Sequence, residues 1–84
     1  MASETEIGSI FSYFSKIGVA AINLKGSLKK GDTIHIKGHT TDLKQKVESI
    51  QIDNESVDEA KKGDEVGIKV KDRVRPNDKV YKVK

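Results

Sequence analysis

Apolar and polar residues alternate in four short runs of this chain, and each run predicts a strand with one buried and one solvated face. In residues 19–25, Ala20, Ile22 and Leu24 share one face, and Val19, Ala21 and Asn23 the other. Residues 33–38 place Ile34 and Ile36 inside, with Thr33, His35 and Lys37 outside. Residues 65–71 and 79–84 alternate in the same way, with Val66, Ile68 and Val70 inward in the former. A strand over residues 6–14 has unclear parity because Ile10, Phe11, Tyr13 and Phe14 crowd together. A longer one over residues 43–53 offers Val47, Ile50 and Ile52, and its change of parity predicts a bulge or bend near Ser49. The acidic stretch 54–60 reads as a loop with a single helical turn at most. No sustained 3.6-residue apolar period occurs, so the expected fold is all-β.

A repeated phrase punctuates these runs. Lys29-Lys30-Gly31-Asp32 and Lys61-Lys62-Gly63-Asp64 each lead into a strand, and Arg75-Pro76-Asn77-Asp78 is a weaker third copy. The predicted geometry is a tight turn in which glycine takes a positive φ without steric cost. Three such units within 84 residues predict one small domain, residues 6–84, behind a polar tail, residues 1–5, expected to be disordered. With no cysteine, neither a disulfide nor a thiolate zinc site is available to staple it. A closed barrel, which removes sheet edges, is the economical solution.

Charge is unevenly distributed. Residues 25–46 carry six lysines against two aspartates, and residues 66–84 seven bases against two acids. Between them, residues 47–65 carry seven acids against two lysines. If the two basic blocks meet on one surface, Lys25, Lys29, Lys30, Lys37, Lys69, Lys71, Arg73 and Arg75 are the candidate phosphate contacts. The competing reading is a mixed Lys/Glu surface that serves solubility and ion pairing. Tyr13 and Tyr81 are the only rings expected to be exposed, so any nucleic-acid contact is expected at the backbone and without sequence preference. No apolar run reaches the roughly 20 residues that span a bilayer, and the start of the chain lacks a secretory pattern, so a cytoplasmic protein is expected.

Catalytic constellations are absent from the pattern. His35 and His39, spaced four apart on a strand and loop, do not converge on one ion, so solvated side chains and no metal are expected. No serine stands in a nucleophile-elbow context, and the acids between Asp53 and Asp64 lack a calcium-loop spacing. Gly67, at an outward strand position, predicts a barrel corner ahead of a ligand contact.

Two segments carry a family resemblance. Gly18-Val19-Ala20-Ala21-Ile22 followed by Gly26-Ser27-Leu28-Lys29-Lys30-Gly31-Asp32 resembles the second domain of translational GTPases, as found in elongation factor Tu and the initiation GTPase. Val47-Glu48-Ser49-Ile50-Gln51, then Val57, Glu59-Ala60, Gly63-Asp64 and Val66-Gly67-Ile68, match the second half of that pattern. The resemblance implies a closed six-stranded Greek-key barrel and a stand-alone translation-factor-like binding module. It implies contact with tRNA, rRNA or the ribosome, and an acceptor-end pocket near Leu28, Gln51 and Asn54. Relatives that bind tRNA usually carry an acid where Gln51 stands and a base where Asn54 stands, which shifts the expectation to looser RNA or ribonucleoprotein contact. The alternative is a protein-interaction adaptor, an accessory barrel for a larger enzyme or GTPase.

No cofactor and no enzymatic activity are expected. The phosphate-cradling Gly-x-x-x-x-Gly-Lys-(Ser/Thr) loop is missing. Calorimetric titration with GTP and GDP should therefore give no saturable heat at millimolar ligand; a micromolar dissociation constant for either nucleotide would contradict this reading.

Overall fold

In the computed structural model, residues 4–53 and 55–83 are described. They are all-β, and among them no helix is present to cross a membrane. Ten strands follow one another: β1 Glu4–Phe14, β2 Val19–Leu24, β3 Leu28–Lys29, β4 Thr33–Lys37, β5 Asp42–Lys46, β6 Ile50–Ile52, β7 Glu55–Val57, β8 Glu59–Ala60, β9 Glu65–Lys69 and β10 Lys79–Val83. Eight form one sheet in the order β5-β4-β10-β1-β2-β9-β6-β7, and β3 pairs with β8 apart from it. All pairings are antiparallel.

This count corrects the expected six strands. The stretch expected to run unbroken over residues 43–53 is divided into β5 and β6 at Val47–Ser49, where the change of parity falls. Within the acidic stretch Glu55–Val57 and Glu59–Ala60 are strand, because pairing there is made by backbone: β7 lies against β6 through Ile50↔Val57, and β8 against β3 through Leu28↔Ala60. Strand β1 starts at Glu4, so two residues of the expected tail, Glu4 and Thr5, pair with Val83 and Lys82 of β10. Met1 to Ser3 lie outside the described residues.

The repeated phrase folds three times in the same way. Asp32, Asp64 and Asp78 each return a backbone N–H to the first residue of their turn, Lys29, Lys61 and Arg75, at 3.0, 3.0 and 3.2 Å. Each aspartate carboxylate accepts the N–H of that same first residue at 2.9 Å. The third position is Gly31, Gly63 or Asn77, at φ 97°, 94° and 77°. Only glycine, or a residue such as asparagine, adopts that region at low cost.

Inside the sheet lie Ile7, Ile10, Ile22, Ile34, Ile36, Ile50, Ile68 and their neighbours, joined by Leu28, Val47, Val74 and Val80. The inward faces anticipated from alternation hold, with Ile52 only partly buried at their margin. One buried polar residue organises this interior. Gln45 of β5 is 7% exposed. Its Nε2 donates to the Lys69 carbonyl at 2.9 Å, and its Oε1 accepts the Lys71 N–H at 2.8 Å. Strand β5 is the edge of the sheet, and β9 stands five strands further along the order. The sheet therefore curls, and a side-chain amide joins the two strands as a peptide group would.

Replacing Gln45 by Ala removes both bonds and strands a carbonyl and an N–H, which should cost about 1–3 kcal/mol. Gln45→Glu keeps the acceptor but loses the donor, and should also destabilise. Urea denaturation would check both; an unchanged midpoint in either variant would contradict the role given to this side chain.

Candidate functional site

The outer face of β1, β2, β9 and β6 carries an apolar groove, and its origin lies in the backbone of β1. Ile10 pairs with Ile22, whereas Ser12 pairs with Ala21, so Phe11 is an extra residue, a β-bulge. Phe11 and Phe14, three apart, would face opposite sides of a regular strand. The bulge resets the alternation: Tyr13 packs against the core, and both phenylalanines stay outside. The crowding of aromatic residues in this stretch was the visible sign of it.

Phe11, Phe14 and Ile17 are 46, 50 and 64% exposed, the large hydrophobic residues left open among the described residues. They line one groove of about 290 Å³ with Val19, Ala21, Gln51, Asp53, Glu65, Val66 and Gly67. Ile17 stands in the turn after β1, held by Gly18 N–H donating to the Phe14 carbonyl at 2.9 Å. Gly67 lies in the middle of β9, in register with Ala21 on one side and Gln51 on the other. The corner expected at Gly67 is therefore not found. A Cβ there would stand 3.2 Å from Val19 Cγ1, so the missing side chain keeps the groove open.

Of the acceptor-end trio, Gln51 lines the groove, Leu28 is fully buried in the core, and Asn54 lies outside the described residues. The basic candidates are distributed over several places. Lys29 and Lys30 border a broad basin of about 680 Å³ that also includes Lys46, Glu48, Asp58 and Glu59. Arg73 and Arg75 stand beside Asp42 and Asp72. Lys25 is paired with Glu6, and Lys69 lies near Ile17 and Ser49. Lys71 contributes its backbone N–H to Gln45. Lys37 is bound to Glu4 at 2.9 Å and sits 5.2 Å from the Tyr81 ring centre.

His35 departs from its expected solvation. On the outer face of β4 its Nδ1 meets Glu4 of β1 at 2.7 Å, and its Nε2 bonds Asp42 of β5. With both ring nitrogens engaged by carboxylates, the imidazole has no free lone pair for a proton or a metal. Among the described residues no cluster suited to a metal ion occurs. The hydrogen bonds to Glu4, then to Asp42, push the His35 pKa above its usual 6.5. Hydrogen bonds from His35, then from Lys37, hold the Glu4 carboxyl down at about 2.

The curled sheet and its outer groove define a small barrel-type domain. The sequence model of the family described as elongation factor Tu domain 2 matches residues 19–73, and the chain belongs to that family. An uncharacterized protease of Methanocaldococcus jannaschii is 45% identical over 80 residues, covering 94% of this chain and 20% of its own length. A collagenase of Porphyromonas gingivalis is 43% identical over 81 residues, covering 94% of this chain and 22% of its own. The chain thus spans about a fifth of the length of these curated relatives. The C-terminal domain of a Geobacillus thermoleovorans protein assigned to the U32 peptidases shares the fold, with TM-score 0.87 and 22% identity over 93% of this chain and 91% of that one.

These relatives correct the functional expectation. The domain resemblance stands, but proteins of 43–45% identity are named protease and collagenase, not translation factor. The reading as an RNA- or ribosome-contacting module is overturned. Its weakness was physical: a fold shared with tRNA-binding domains does not transfer their ligand.

The His35 cluster yields a pH prediction. A raised histidine pKa stabilises fully below about 6.5 and loses that contribution as pH rises through the raised value. The lowered Glu4 stabilises above 4.5 and loses its contribution as pH falls through about 2. The urea midpoint difference between the parent and His35→Gln should thus be largest between about pH 4.5 and 6.5, and shrink on either side. A difference independent of pH would contradict the ion-paired geometry.

Proposed function

We propose that this chain is a non-catalytic accessory domain of the protease type, a barrel that holds a polypeptide for chemistry carried out elsewhere. The observation that carries this reading is the share of sequence. Nearly all of this chain, 94%, aligns at 45% identity with a fifth of a protein named as a protease. A segment of that proportion is the size of one domain in a larger polypeptide. His35 fits this reading, since each of its ring nitrogens is bonded to a carboxylate of the chain itself and neither is open toward a substrate. In this reading the sheet curled through Gln45 functions as the closed barrel of its family, a rigid support for a surface. The partner is a protein.

Two measurements test it together. The isolated chain should release no fragments from gelatin. A chimera in which this chain replaces the matching fifth of the Methanocaldococcus jannaschii relative should act on protein substrates at that parent's rate, whereas deletion of the fifth should lower it. Cleavage by the isolated chain, or a folded chimera that behaves like the deletion, would contradict the accessory role.

A further inference from the structure

The groove on the outer face differs from the rest of the surface in three ways, and together they specify an occupant. It gathers Phe11, Phe14 and Ile17, the open large hydrophobic residues among those described. Bulky apolar side chains grouped in one exposed patch mark an interaction site more often than chance placement does. Their grouping here is made by a bulge, a feature that commonly re-aims side chains beside functional sites.

Size comes next. At about 290 Å³ the groove lies at the lower end of the range of small-molecule pockets, and its volume suits one bulky side chain. Gly67 at its floor keeps that volume free. Across the groove, β2 pairs with β1 and β9, and Gly67 of β9 pairs with Gln51 of β6, while Ser12–Phe14 of β1 pairs with β2 alone. The groove lies on the face of these strands, where side chains and not backbone groups are presented, so recognition there proceeds by insertion of a side chain from outside.

Charge is the third feature. The ionisable groups lining the groove are Asp53 and Glu65, both acidic; Lys69 stands in the adjoining cavity, which shares Ile17, Val19, Gln51 and Gly67 with it. An apolar floor beside two carboxylates complements a segment in which a large apolar residue adjoins lysine or arginine. A second copy of this chain is a poorer match. A two-fold pairing through this face would bring the Asp53 and Glu65 carboxylates of both copies to one interface, where like charges oppose it.

We propose that this groove is a peptide-binding site, and that its ligand is a polypeptide segment presenting one aromatic or large aliphatic side chain flanked by Lys or Arg. The proposal rests on the reading of the chain as an accessory binding domain and names the surface that does the binding. Phe11, Phe14 and Ile17 supply the apolar contact, and Asp53 and Glu65 pair with the flanking cations.

Fluorescence anisotropy of the full chain tests this with three labelled peptides, Gly-Ser-Lys-Phe-Lys-Ser-Gly and its Glu-Phe-Glu and Lys-Ala-Lys counterparts. The first should bind saturably, and each counterpart at least about tenfold more weakly, a difference of about 1.4 kcal/mol. The double reversal Asp53→Lys with Glu65→Lys should invert the preference between the Lys and Glu peptides. Phe14→Ser with Ile17→Ser should lower affinity at least tenfold, with the urea midpoint confirming that this variant folds. Equal binding of all three peptides, no binding of any at millimolar peptide, or indifference to both double variants would overturn the proposal. So would a dimer in sedimentation that Phe14→Ser dissolves, which would assign the face to a second copy. If the chimera of the preceding subsection works while the peptides fail to bind, the groove assignment falls and the accessory role stands. If the peptides bind as expected while the chimera fails, the site stands without that role.

Discussion

The structure depends on a bond that no strand ladder supplies. Eight strands in one sheet leave an edge at β5, and a small domain cannot leave both a sheet edge and its core open to water. Gln45 answers both needs by presenting an amide where a neighbouring strand would present a peptide group. It donates to the Lys69 carbonyl and accepts the Lys71 N–H. The curl that results brings Ile34 and Ile36 of β4 into one core with Ile22 of β2 and Ile68 of β9, all without solvent exposure. Apolar burial provides the driving force, and the amide determines where the curl ends.

On this framework the outer surface is left to be specified by local irregularity. A regular β1 would have sent Phe11 and Phe14 to opposite faces and put one of them into the core. The bulge sends both outward, and the glycine at position 67 leaves space beneath them. The charged residues serve a different end. Glu6 pairs with Lys25 and Lys79, and Glu4 reaches across β10 to His35 and Lys37, so Lys25 and Lys37 of the basic candidates are engaged within the molecule. Pairs of this kind at the surface contribute little stability each.

What the sequence disclosed follows the same division. The three turns were legible because each needs a residue tolerant of positive φ followed by an aspartate, and both requirements are written in adjacent letters. The inward faces of β2, β4 and β9 were legible because period-two alternation is itself the signal. Strands β3, β7 and β8 were not, since two or three residues paired by backbone leave no periodicity. Gln45 occupies an inward position of β5, yet a glutamine carries no mark that distinguishes a buried amide from a solvated one. His35 was misread for a related reason: its partners, Glu4 and Asp42, stand 31 and seven residues away. The domain family was readable from motif order; its role in this chain was not, because motif order reports the fold and one fold serves many ligands.

The central claim, that this domain engages a protein through the groove and not through its lysines, is tested most directly by site-specific photocrosslinking. p-Benzoylphenylalanine would be placed at Phe14 in one preparation and at Lys30 in another, each within the chimera built on the archaeal relative and irradiated during action on a protein substrate. The account predicts adducts from position 14, mapped to segments carrying a large apolar residue beside Lys or Arg, and none from position 30. Adducts from position 30 alone would contradict it.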